Sequence, residues 1–253
     1  MYKFFVIPDT NIWRNRQSEL LGTLRLFTEH VIVAIPHLVI EEAENIFREM
    51  ICYKRDRLEV FKRGLMEAIH NCVVNGLTTR VAPIPVIVGV SRVSASYVAD
   101  ERSSKFLEEA INMYVVKGRR YYSAVRNILS NLKKRNDVES KWIKELEEAL
   151  ENGKVSWKQY IEVLEYCCNT NPNSRMFGHC KNLIGTLPDI LIASAALYLA
   201  DNHKDMIVLV VTEDKTLCNA ITELSDKYKL TVKSCSVDEL KRLLTENANE
   251  LVK

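Results

Sequence analysis

No stretch of this 253-residue chain approaches the roughly 20 consecutive apolar residues that a helix needs to cross a bilayer, so a membrane-spanning helix is not expected. A leader is not expected either: Met1-Tyr2-Lys3 runs straight into an apolar, strand-like segment, without a small-residue cleavage site. The seven cysteines are odd in number and scattered, which opposes a disulfide framework and predicts free thiols in a reducing, cytoplasmic setting. Cys167-Cys168 and His179-Cys180 lack the two-residue spacer with which paired thiolates grip zinc. A net charge of +2 is too mild to announce a nucleic-acid partner by itself, and there is no internal repeat or low-complexity tract. What remains is a chain 47% hydrophobic, able to bury a substantial core as one domain carrying a large insertion.

The two ends share one style. Lys3–Pro8 and Val31–Ile35 read as buried strands, and Leu20, Leu21, Leu24 and Phe27 mark a helix between them. Another helix is expected from Pro36 through Glu41-Glu42-Ala43-Glu44 towards Met50. Near the carboxyl end, Asp189–Ala200 reads as an apolar helix, Met206–Val211 as a buried strand, Lys215–Tyr228 as an amphipathic helix and Leu230–Lys233 as a last strand. Alternating helices and continuously apolar strands predict an α/β fold with a mostly parallel sheet covered on both faces. Ligands of such sheets sit outside the carboxyl ends of the strands.

The middle, residues 51–183, reads instead as a mostly helical insertion. Its series are Leu58 to Cys72, Tyr121 to Leu132, Ile143 to Leu150 closed by Gly153, and Trp157 to Leu164 after a cap at Ser156. Val81–Val88 is apolar but broken by prolines and reads only as extended. Asn169–Asn173 is the clearest loop.

Four acids recur at the same kind of place. Asp9 ends the first strand, Glu42 begins the helix after the second, Asp189 opens the helix before the next strand, and Asp214 follows that strand. Taken singly each has a plainer reading, as a turn former, a complement to a helix dipole or an N-cap. Together they can reach one crevice, where clustered carboxylates stay ionised only beside a cation. Oxygen-only ligands suit Mg²⁺ or Mn²⁺ better than zinc. Asn11, two residues after Asp9, offers a second oxygen ligand or a hydrogen bond that would orient the Asp9 carboxylate.

These residues resemble the motifs of the PIN-domain nucleases. Val6-Ile7-Pro8-Asp9-Thr10-Asn11 looks like the first motif, and Pro36-His37-Leu38-Val39-Ile40-Glu41-Glu42 like the second, whose spacing from proline selects Glu42. Leu187-Pro188-Asp189 with the apolar run after it resembles the third, and Thr212-Glu213-Asp214 the fourth. The likeness covers roughly residues 1 to 48 and 184 to 235, and the helical middle has no counterpart in the minimal family. It implies a PIN-like sheet flanked by helices and an Mg²⁺- or Mn²⁺-dependent endonuclease, in which Asp9, Glu42, Asp189 and Asp214 hold metal and carry hydrolysis. The implied substrate is nucleic acid, RNA rather than DNA.

Within the insertion, Arg119, Arg120, Tyr121, Arg126, Lys133 and Lys134 could line a basic stripe that holds phosphates while a tyrosine stacks on an unpaired base. That pattern favours single-stranded or loop RNA; the plainer reading is a solvated charged face. A toxin restrained by an inhibitory protein partner, a defence nuclease or a processing enzyme would share these features, as would a monomer and a homo-oligomer. One alternative is a PIN-like binding or interaction module that no longer turns over substrate. A haloacid-dehalogenase-type phosphotransfer enzyme would need a second Asp two residues after the first, where this chain has Asn11.

Overall fold

Phe4, Phe5, Val6 and Ile7 are each no more than 2% exposed, so the first strand is buried on both faces and its alternation of side chains carries no polar face. Each such side chain contributes about 1.5–3 kcal/mol by leaving water. The computed structural model describes residues 3–36, 86–89, 101–134, 140–168 and 175–249. The chain divides into two compact units, Met1–Tyr97 with Ala195–Lys253, and Val98–Ser194.

The first unit is built on a parallel sheet. Its strands are β1 (Phe4–Pro8), β2 (Val31–Pro36), β3 (Val86–Gly89), β4 (Ile207–Val211) and β5 (Val232–Cys235). They lie in the order β3-β2-β1-β4-β5, every neighbour parallel. Phe4 is in register with Val31 on one side and Ile207 on the other, and Val208 with Val232. The chain therefore builds outward from β1 through β2 to β3, then returns to the other side of β1 for β4 and β5. The order reverses between β1 and β4. In open parallel sheets that reversal leaves a crevice between loops that diverge to opposite faces.

Helices α1 (Thr10–Asn15) and α2 (Gln17–Arg25) follow β1 and bury Ile12, Trp13, Leu20 and Leu24. After β4, helix α9 (Lys215–Tyr228) buries Leu217, Ala220, Ile221 and Leu224 at helical spacing. It ends at Lys229, in the left-handed region at φ 53°. The Ser225 hydroxyl of α9 donates to the carbonyls of Leu230 and Val232, and the last strand starts at Val232 where Leu230 was expected. Helix α10 (Val237–Asn249) is introduced by a capping box: the Glu239 amide donates to Ser236 Oγ, and the Ser236 amide donates back to Glu239 Oε2 at 2.9 Å.

The second unit is helical among its described residues. It holds α3 (Glu101–Ile111), which runs on into a wider π-helical turn over Asn112–Lys117, then α4 (Arg119–Leu132), α5 (Ser140–Glu151), α6 (Trp157–Cys168) and α7 (Arg175–Ile184). Their apolar stripes are buried, among them Ile128, Leu129 and Leu132 of α4 and Ile143, Leu146 and Leu150 of α5. Gly153 after α5 has φ +64°, a conformation that a side chain would strain. Ser156 and Gln159 exchange capping bonds at the start of α6. Helix α8 (Leu187–Asn202) opens in this unit, and from Ala195 onward its residues belong to the first.

Other expectations change. Within the expected extended segment Val81–Val88, the last residues pair with β2 as strand β3, so the sheet draws a strand from residues first read with the helical middle. Cys167 and Cys180, expected as free thiols, are joined as a disulfide with Cα atoms 5.0 Å apart, because α6 and α7 bring together residues 13 apart in sequence. Pro36, expected to open a helix, instead ends β2 by pairing with Gly89, and the rest of that helix to Met50, the Leu58–Cys72 series and the Asn169–Asn173 loop lie outside the described residues.

Candidate active site at the carboxyl edge of the sheet

Asp9 follows the last residue of β1 at the sheet's reversal point, with its amide donating to the Val211 carbonyl of β4 at 2.9 Å. It stands at the N-cap of α1 in extended backbone, φ −68° and ψ 156°, yet its side chain makes no capping bond. The carboxylate is turned to other partners. Thr212 donates its hydroxyl to Asp9 Oδ2 at 2.9 Å, and Asn11 Nδ2 lies 3.4 Å from the same oxygen. Asp9 is only 2% exposed.

The Thr212 hydroxyl works in both directions, since it also accepts from the Asp214 amide at 3.0 Å. The Thr212 amide in turn donates to the Cys235 carbonyl at the end of β5. Thr212 is thus held from both sides, and it ties the segments that leave β1 and β4 to one another. Asp214, half-buried, caps α9: its Oδ1 accepts from the amides of Thr216 at 2.6 Å and Leu217 at 3.1 Å. The plain reading of Asp214 as an N-cap therefore describes one of its oxygens, and Oδ2 is not part of that cap.

Burial pushes the Asp9 carboxyl above the ordinary aspartate range, and the negative charge of Asp214 pushes the same way. The bonds from Thr212, the Thr10 backbone and Asn11 favour the charged form and offset part of that rise.

Of the residues singled out in the sequence, Asp9, Asn11, Thr212 and Asp214 come together within the sheet unit. Asp189 stands in the first turn of α8, half-buried, in the helical unit. Glu42 lies outside the described residues. Among the described residues no three of His, Cys, Asp and Glu gather as a ligand set.

The basic stripe falls on α4. Arg119, Arg120 and Tyr121 form its first turn, and only their backbone is described. Arg126 is exposed and lies over the Tyr122 ring, 5.8 Å from its centroid. A cleft there is lined by Tyr122, Arg126, Leu129, Glu147, Leu150 and Glu151, so carboxylates of α5 face the stripe. Lys133 pairs with Glu147 at 2.5 Å, and Lys134 is exposed.

Arg16 escaped the sequence reading. It joins Glu213, between Thr212 and Asp214, although the two are 197 positions apart. No local signal announces such a pair; the Ser236-x-x-Glu239 box, by contrast, was there to be read.

No protein-family model, curated protein or solved structure matches this chain. No described helix is long and apolar enough to cross a membrane.

Proposed function

We propose that the sheet unit is a metal-dependent nuclease, an endoribonuclease of the PIN type acting on single-stranded or loop RNA. One observation carries the proposal: at the reversal point of a parallel sheet, one Thr212 hydroxyl holds the buried Asp9 carboxylate and accepts the Asp214 backbone amide, so two acids are set beside each other. The negative charge of Asp214 adds to the proton affinity of the buried Asp9, and a divalent ion relieves that repulsion.

The donors fit Mg²⁺ or Mn²⁺, being the hard carboxylate oxygens of Asp9 and Asp214, with Thr212 and Asn11 orienting Asp9. Asp9 and Asp214 of the sheet unit would hold the ion. When bound, such an ion supplies an activated water and charge neutralisation at phosphate. The chain's own residues do the positioning. Thr212 fixes the Asp9 carboxylate through Oδ2, while the cap on α9 fixes Asp214 Oδ1 and with it the direction of Oδ2. In the helical unit, Arg119, Arg120 and Arg126 of α4 are proposed as contacts to a nucleic-acid backbone.

A second reading is favoured by the capping bonds on Asp214 Oδ1: with that oxygen engaged, the unit would be a nucleic-acid-binding or protein-interaction module without turnover. Incubating the purified chain with single-stranded RNA, hairpin RNA and single-stranded DNA, with Mn²⁺ or with EDTA, separates the two. Cleavage of RNA that needs Mn²⁺ and is lost in Asp9→Asn supports the nuclease; cutting at the parent rate by Asp9→Asn overturns the site. Binding without cleavage favours the second reading. Replacing Arg119 and Arg120 with Ala should lower the salt slope of RNA binding by about 1 to 1.5, for two lost contacts to a single strand.

A further inference from the structure

Arg16 stands between α1 and α2, and its guanidinium reaches three carboxylates from three segments. Nε and Nη2 donate to Glu19 within α2. Nη1 donates to Glu213 Oε1 at 2.9 Å and to Asp238 Oδ2 at 3.1 Å, and Nη2 meets both Asp238 oxygens at 3.2 Å. Asp238 lies in the first turn of α10, which packs against α2. The guanidinium offers five N–H donors in a fixed fork, and the contacts engage all three of its nitrogens.

Glu213 is the only residue between Thr212 and Asp214. With rigid peptide planes on either side, its position constrains both neighbours. The segment leaving β4 is thus tied to the segment leaving β1 twice: inside by Thr212 on Asp9, outside by Arg16 on Glu213. An isolated exposed ion pair contributes little. Here one guanidinium joins three segments, so loss of the arginine removes the side-chain contact that holds Glu213 to the α1–α2 corner and to α10.

We propose that Arg16 is a positioning residue: through Glu213 it holds the Thr212–Asp214 segment so that Asp214 stays set against Asp9 for divalent-cation binding. This rests on the metal-dependent reading of the site given above.

The test uses the full chain and two readouts, hydrogen exchange of the Asp214 and Leu217 amides without metal, and Mn²⁺ affinity by calorimetry. Arg16→Gln should speed exchange about two- to fivefold, the range for loss of an exposed pair, and weaken Mn²⁺ binding about tenfold, as for loss of a group that orients a metal ligand. Glu213→Gln, which keeps Arg16 on Glu19 and Asp238, should do the same and decides the matter if Arg16→Gln fails to fold. Glu19→Gln should leave both readouts at parent values. Parent-like exchange in Arg16→Gln and Glu213→Gln overturns the proposal, as does faster exchange with unchanged Mn²⁺ affinity, which would make the contact merely structural. If the parent takes up no Mn²⁺, the nuclease reading falls, and exchange alone decides whether Arg16 holds the segment.

Discussion

Thr212 donates its hydroxyl to Asp9 Oδ2 at 2.9 Å across 203 residues of sequence and accepts the Asp214 amide through the same oxygen. Replacing it with Val keeps the shape but leaves a buried carboxylate oxygen without its best donor and the Asp214 amide without an acceptor. Thr212→Val should cost about 1–3 kcal/mol in urea unfolding, whereas Thr212→Ser should remain near the parent. A Val variant as stable as the parent would mean that the bond contributes nothing.

The raised Asp9 carboxyl makes stability fall as pH rises. A folded-state value above the unfolded one means that the folded chain binds more protons, so its contribution is present below the ordinary value of 3.8 and is lost through the interval above it. Asp9→Asn removes that loss. In EDTA, the advantage of Asp9→Asn over the parent should be small near pH 4 and grow towards pH 7, read from urea midpoints across that range. An advantage that shrinks with pH would show the carboxyl to be lowered instead.

Asp214 separates capping from charge. Asp214→Asn keeps an oxygen for the Thr216 and Leu217 amides and should change stability by only a few tenths of a kcal/mol, while Asp214→Ala should cost about 1 kcal/mol. Both should abolish Mn²⁺-dependent cleavage. Activity retained in the Asn variant would place the role of Asp214 in the cap alone.

The described cysteines should differ in reactivity. Burial, then the charge of Glu239, pushes the Cys235 thiol up to about 12, so at pH 8 almost none of it is thiolate. Cys218 is half-buried and free. Iodoacetamide at pH 8 should mark Cys218 ahead of Cys235 in the native chain, and should reach Cys167 and Cys180 only after reduction and unfolding. Peptide mapping by mass spectrometry checks this; native labelling of Cys167 without reductant would rule out the pairing.

Local features were readable wherever the cause is local. The apolar runs at Phe4–Ile7 and Ile207–Val211 read as buried strands, the periodicity of Leu217, Ala220, Ile221 and Leu224 as a helix face, and Gly153 as the close of a helix. Strand β3 was obscured by Pro83 and Pro85, which mask strand character until β2 offers a pairing edge. The Cys167–Cys180 pair was hidden because an odd cysteine count says nothing about which helices meet.

The sequence by itself determined the parallel α/β character of the ends, the helical character of the middle and which acids stand at strand and helix ends, because each follows from the order of apolar and polar residues along a few turns. Only the tertiary structure decided that Thr212 serves both Asp9 and Asp214, and that Arg16 reaches Glu213. Those contacts depend on strand order: placing β4 beside β1 sets together segments about 200 residues apart in the chain, and no local pattern encodes that adjacency.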